Sequence, residues 1–272
     1  MTDQDAKQRP PNPATSDEIK QLAQTQFAGS AQRFVESKLH REGEDLRRMV
    51  ELAALSGRER VLDVATGGGH AALAFAKHAA EVVASDLTPR MLEVAAQFIA
   101  DSGQHNIQFR KADAEAMPFA DGEFDVVTAR IAPHHFPSPA RFVAEVARVL
   151  KPGGRFILDD NMAPEDDELD SFMNDFERWR DPSHVRALKL SQWQTLCEQS
   201  GLRVQHVDPL TKKIYQYAEW TERMRLPAQD TEALAEWLKA APQKCRDFFD
   251  LQVVDGKVIS LCATFGILVA QK

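Results

Sequence analysis

From position 61 the chain alternates between short apolar runs and helical stretches. VLDVA (61–65), EVVASD (81–86), IQFRKAD (107–113), FDVVTAR (124–130) and RFILDD (155–160) are too short for helices and read as strands. An Ala-rich helix follows the first run over 70–79, and Thr88-Pro89 opens another that Gly103 should end. Ser138-Pro139 opens a third, with Val143, Ala144, Ala147 and Leu150 inward, and Lys151-Pro152-Gly153-Gly154 breaks it. Such alternation implies parallel pairing through right-handed crossovers. LRVQHVD (202–208) and LCATFGILVA (261–270) add two strands, which gives an α/β chain with a doubly wound, mostly parallel seven-stranded sheet.

The flanks are helical. Residues 1–14 are polar and Pro-rich and are expected to be disordered. Thr15-Ser16-Asp17-Glu18 reads as a capping box. Phe27-Ala28-Gly29-Ser30 should interrupt that helix, with a second one running through Phe34 and Leu39. Residues 46–55 place Leu46, Met49, Val50 and Ala53 on one face, as a core-packing helix does. Ser191-Gln192-Trp193-Gln194 repeats the capping pattern, and Gly201 follows that helix. No linker divides the chain, so residues 15–272 are expected to form one domain. Its decorations would be the N-terminal helices and inserts at about 164–185 and 210–250, the second mainly helical.

Composition narrows the function classes. The 272 residues are 43% hydrophobic and 27% charged, with a formal net charge of −8. An acidic protein is a poor ligand for nucleic-acid phosphates. Ten acids lie between 159 and 181 against Arg178 and Arg180, a stretch expected to be a solvated helix face. No apolar run approaches the ~20 residues of a membrane span, and the start lacks a secretory core. Cys197, Cys245 and Cys262 are few and widely spaced, which fits a cytoplasmic protein and gives no metal site. A small-molecule partner is therefore expected.

The chemistry concentrates around Val61-Leu62-Asp63-Val64-Ala65-Thr66-Gly67-Gly68-Gly69-His70, a buried strand ending in a glycine turn that opens a helix. Backbone without Cβ atoms can approach a ligand there, at the carboxyl end of a parallel strand. Gly67, Gly69 and Ala72 formally fit a dinucleotide fingerprint. Asp63, inside the strand, would repel a pyrophosphate and attract an amino group and a sulfonium, both of which S-adenosylmethionine carries. Asp86 ends the second strand and suits both hydroxyls of a ribose, in NAD or S-adenosylmethionine alike. Asp113 ends the third, where its carboxylate and the Ala114 N–H can read an adenine.

These segments resemble a class I S-adenosylmethionine-dependent methyltransferase of the ubiquinone/menaquinone C-methyltransferase-like (methyltransferase type 11) group. The matching pieces are VLDVATGGGH, ASDLTPRMLEVA, ADAEAMPFADGEFDVV and VLKPGGRFIL, within 61–160. Ala65 stands where the family pattern often has its first glycine. The resemblance implies a Rossmann-like fold with an antiparallel last strand. It places the backbone of Ala65, Thr66, Gly67 and Gly69 against the methionine part, with Asp63 orienting its amino group. It gives Asp86, Leu87 and Met91 to the ribose, Asp113 and Ala114 to adenine, and Arg130 to the methionine tail. The expected reaction moves a methyl group by in-line displacement to a small organic acceptor, aromatic or quinone-like by the same resemblance. Candidate bases are His70, His134 and His135, and His184 and Arg186 are candidate substrate contacts. The segment around Phe27 and Phe34 is a candidate lid. Two other readings stay open: an NAD(P)-dependent oxidoreductase and a non-catalytic S-adenosylmethionine-binding module.

Overall fold

The computed structural model describes residues 15–36 and 43–272, so the expected N-terminal disorder and Leu39 lie outside the described residues. Five parallel strands form the sheet's first part: β1 (Arg60–Val64), β2 (Glu81–Asp86), β3 (Ile107–Lys111), β4 (Phe124–Arg130) and β5 (Leu150–Asn161). β6 (Arg203–Val207) lies at the far edge, and β9 (Lys257–Gln271) inserts antiparallel between β5 and β6. The order along the main path is β3-β2-β1-β4-β5-β9-β6, a mixed sheet of the expected class, and two further strands paired with β9 bring the sheet to nine where the sequence implied seven.

Side chains alternate across this sheet as a period of two demands. Leu62, Val127, Phe156, Leu158 and Leu268 join one apolar layer, and Val61, Val126, Ile157, Ile267 and Val269 join the other. Helix α5 (Pro139–Val149) covers the first face, with Phe142, Val143, Val146 and Ala147 buried. Ala144 faces solvent instead of the core, and Leu150 is buried as the first residue of β5. The Ser138 hydroxyl caps this helix by accepting from the Arg141 N–H.

Three local expectations need correction. Helix α1 runs unbroken over Ser16–Glu36, through Gly29. A mid-helix glycine costs about 1 kcal/mol. Here Ala31 is buried in a cluster with Met91 and Val94, and Phe27, Phe34 and Val35 pack against it. At the other end the capping box is present: Glu18 accepts from the Thr15 N–H, and Thr15 Oγ1 from the Glu18 N–H. Helix α7 (Leu190–Gln199) begins one residue before Ser191; Gln192 accepts from the Lys189 N–H, and the Ser191 hydroxyl donates to Glu165. The second insert is not all helical. It opens with β7 (Thr211–Gln216) and closes with β8 (Gln252–Val254), both paired with the first half of β9.

The two inserts pack on each other. Helix α6 (Asp167–Arg180) supplies Phe172, Met173 and Phe176, which meet Trp220, Leu234 and Phe249 in a separate apolar cluster. The acidic stretch is only partly solvated: Asp159, Asp160, Asp170, Glu177 and Asp181 are buried. Asp170 pairs with Arg186 at 2.5 Å, and Glu177 with Arg180 at 3.1 Å.

Candidate active site

The crevice lies at the carboxyl ends of β1, β2 and β4, as open α/β sheets arrange it, and spans about 1080 Å³ counting the open space at its mouth. Its floor is the turn between β1 and helix α3 (His70–Ala76). Ala65, Gly67 and Gly69 all have left-handed backbones, with φ of 54°, 55° and 84°. Alanine at such a φ costs on the order of 1–2 kcal/mol, so Ala65 holds strain that a glycine would not. The glycines divide their work. Gly67 and Gly68 line the crevice. Gly69 is behind it, where a Cβ would come within 2.9 Å of Ile99 and 3.0 Å of Ala95 on helix α4 (Pro89–Ala100). Gly69 therefore lets α4 close on the turn. Gly68 was not among the expected contacts; a Cβ there would sit 3.2 Å from the Val35 backbone nitrogen of α1.

Carboxylates ring the floor. Asp63 is 1% exposed and accepts from Thr66 Oγ1 at 2.6 Å. Burial pushes its carboxyl up to about 7, against the bonds from Thr66 and the Ala72 N–H. Asp86 accepts from the Gly67 N–H at 3.0 Å and the Thr88 N–H at 2.8 Å, so it both shapes the turn and faces the crevice. Burial raises its carboxyl despite those bonds. Leu87 and Met91 lie beside it, and Ala114 lies next to Asp113.

Helix α1 roofs the crevice. Lys20 Nζ reaches Asp113 at 2.7 Å and Glu115 at 2.8 Å, and Gln24 donates to the Leu87 carbonyl at 2.9 Å. Phe27 and Phe34 line the far side with their rings 5.5 Å apart. Arg130 lines the wall, gripped by Asp45 of helix α2 (Glu44–Ala53) at 2.6 and 2.7 Å. Asp159 lies 3.6 Å from Arg130, and Lys213 lies 3.4 Å from Asp45. Burial works against the Asp45 charge, but Arg130 and Lys213 hold its carboxyl well below the usual range. Burial and the Asp45 charge push Asp159 well above it.

The histidines separate. His70 lines the crevice, with Nε2 3.1 Å from the Phe34 carbonyl. His134 turns away from the crevice and holds Asp160 at 2.6 Å; that carboxylate raises its pKa although burial opposes the charge. His135 lines the crevice, and its Nδ1 is 2.9 Å from the Ser183 carbonyl. A carbonyl only accepts, so Nδ1 carries the hydrogen and Nε2 keeps the lone pair. Burial, then the charge of His134, push His135 down to about 3, so it is neutral at physiological pH. His184 is buried against Asn174 at 2.9 Å, and Arg186 is tied to Asp170; neither lines the crevice.

The model of a methyltransferase domain matches residues 62–158. An uncharacterised methyltransferase of Bacillus subtilis, YcgJ, is 40% identical over 240 residues, 88% of this chain and 94% of that protein. The chain belongs to the methyltransferase family. The crystal structure of YcgJ superposes with a TM-score of 0.81 at 39% identity, over 84% of this methyltransferase and 97% of that chain. BH2331 of Bacillus halodurans, a candidate methyltransferase, gives 0.83 at 43% identity, over 85% and 99%. A demethylmenaquinone methyltransferase of Thermus thermophilus is 41% identical over 121 residues, 43% of this chain and 54% of that protein. The methyltransferase thus has the Rossmann-like fold expected from its sequence. Among the described residues no helix is long and apolar enough to cross a membrane.

Proposed function

We propose that this methyltransferase takes its methyl group from S-adenosylmethionine and transfers it to a small organic acceptor. The observation that carries the reading is Asp63, a buried carboxylate on the crevice wall with no cation within ion-pair distance among the described residues. A ligand ammonium would relieve its raised pKa, whereas a diphosphate would meet Asp63 and Asp86 as like charges. The residues present therefore fit a phosphate-free nucleoside cation better than NAD.

When bound, S-adenosylmethionine supplies an electrophilic methyl on a sulfonium, ready for in-line displacement. The chain's own contribution is position and dryness. Asp63 orients the amino group, and the backbone of Ala65, Thr66, Gly67 and Gly68 borders the methionine part, with Arg130 near its carboxylate. Asp86, flanked by Leu87 and Met91, accepts the ribose hydroxyls, and Asp113 with Ala114 borders the adenine. Helix α1 closes the crevice over them and excludes water through Phe27 and Phe34. Holding two reactants aligned supplies about 7–11 kcal/mol of the barrier. His135 enters as a neutral hydrogen-bonding wall; an imidazole whose conjugate acid titrates near 3 is a weak base at neutral pH.

The test is calorimetric titration with S-adenosylhomocysteine and with NADH, followed by a labelled-methyl assay on small metabolites. Micromolar S-adenosylhomocysteine binding and labelled product are expected. Binding of NADH alone would return the oxidoreductase reading. Tight S-adenosylhomocysteine binding without any labelled product would favour a non-catalytic module.

A further inference from the structure

Behind the crevice lies a second cleft of about 520 Å³, which shares Phe27, Phe34, Ile131 and His135 with it. Ile131 divides the two with a left-handed backbone, φ 50°, a genuine outlier for a β-branched residue. Such strain is a marker of functional walls. The inner cleft is walled by Trp220, Tyr215, Phe265 and Met224, with Phe27 and Phe34 at its mouth.

Its polar groups are short of partners. Asn161 Oδ1 and Trp220 Nε1 are buried without a hydrogen bond. The Tyr215 ring lies 5.4 Å from Trp220 in a stack on the cleft wall. Two cations reach the wall. Arg180 is engaged, by Glu177 at 3.1 Å and over the Trp220 ring at 4.9 Å. Arg223, on helix α8 (Tyr217–Arg223), has no carboxylate within ion-pair distance and no hydrogen bond among the described residues. The acid on the wall, Asp181, is taken up by the N–H and the hydroxyl of Ser183 at 2.9 and 2.6 Å. His134 and Asp160 are engaged with each other at 2.6 Å. A half-buried guanidinium that no carboxylate meets at contact, with Glu177 and Glu219 acting on it only from beyond ion-pair distance, is costly until a ligand supplies a partner.

We propose that the inner cleft is the acceptor site and takes a small carboxylate: an apolar, ring-sized body among the aromatic walls, its anion met by Arg223 and the Tyr215 hydroxyl. One free cation suits a single negative charge, and Asp181 on the same wall disfavours the dianion of a phosphate. The proposal rests on the methyl-transfer reading above and adds the acceptor's charge to it.

A split extract tests it. Bacterial small metabolites are separated on an anion-exchange resin at pH 7 into a retained pool, treated with phosphatase, and a flow-through pool. Each is incubated with the protein and methyl-labelled S-adenosylmethionine. Labelled product is expected from the retained pool alone. The Arg223→Met variant should lose at least tenfold in rate with unchanged S-adenosylhomocysteine affinity, and Arg223→Lys should restore part of it. Calorimetry of that affinity also certifies that each variant is folded. Product from the flow-through pool, or an Arg223→Met rate within twofold of the parent, overturns the carboxylate assignment and leaves methyl transfer standing. S-adenosylhomocysteine binding with no product from either pool overturns both.

Discussion

The outer crevice and the inner cleft share four residues and are otherwise assembled in opposite ways. The crevice draws most of its floor from consecutive strand tips between positions 63 and 130. The cleft gathers Asn161, Arg180, Tyr215, Arg223 and Phe265 from β5, α6, β7, α8 and β9. The crevice is bounded by carboxylates and backbone, the cleft by aromatic rings and an unpaired guanidinium. A ligand held by backbone and strand-end carboxylates can be served by a local strand–turn–helix motif. A second ligand can instead be met by inserts, which can change without disturbing that motif.

The largest expected effect tests the crevice half of this contrast. Asp86→Ala removes a charge-assisted pair of acceptors and a brace on the Gly67 N–H. S-adenosylhomocysteine affinity should fall about a hundredfold, equivalent to roughly 2.7 kcal/mol. Calorimetry at constant pH measures it, and unchanged affinity would remove the ribose from this strand tip.

A smaller effect sharpens the electrostatic half. With its carboxyl raised to about 7, Asp63 is mostly protonated at pH 6 in the empty crevice and mostly charged at pH 8. A ligand ammonium needs the charged form. Affinity should therefore rise about tenfold from pH 6 to pH 8, with a proton released on binding below pH 7. Asp63→Asn should flatten that profile. The sign for folding is the reverse. A carboxyl raised above its unfolded value costs stability as pH climbs from about 4 to 7, so the empty protein should lose stability over that window and the complex should not.

The contrast also governs what a reader of the chain can see. Asp63, Gly67, Asp86, Asp113 and Arg130 are legible because strand ends and turn residues fix their neighbourhood locally. The same holds for the parallel pairing of the first five strands, which follows from strand–helix alternation, whereas the order of the strands was not written in the chain. Arg223 and Tyr215 carry no such signal. They sit in an insert whose pairing with β9 is settled only by tertiary contact, and β7 was hidden because TKKIYQ is too polar to announce a strand. Gly29 misled for the reverse reason: a local helix breaker was overruled by the apolar packing of Ala31, Phe27 and Phe34 against Met91 and Val94. His184 and Arg186 lie close to the cleft in sequence terms, yet their partners, Asn174 and Asp170, turn them into braces within the first insert.

The smallest effect concerns the one irregular letter of the glycine turn. Ala65→Gly relieves a left-handed alanine and should stabilise the protein by about 1 kcal/mol, roughly 2 °C in Tm. Thermal unfolding measures it. A loss of stability would mean that unfolded-chain entropy outweighs the relief.

Strand β9 has a consequence for how the molecule comes into being. It fills the gap between β5 and β6 and also pairs with β7 and β8, yet it is synthesised after all of them. While the chain emerges from the ribosome, both halves must wait with open, hydrogen-bond-hungry borders, the kind that invite aggregation. Closure of the nascent protein is therefore a late event, and one segment completes the main sheet and a wall of the inner cleft together.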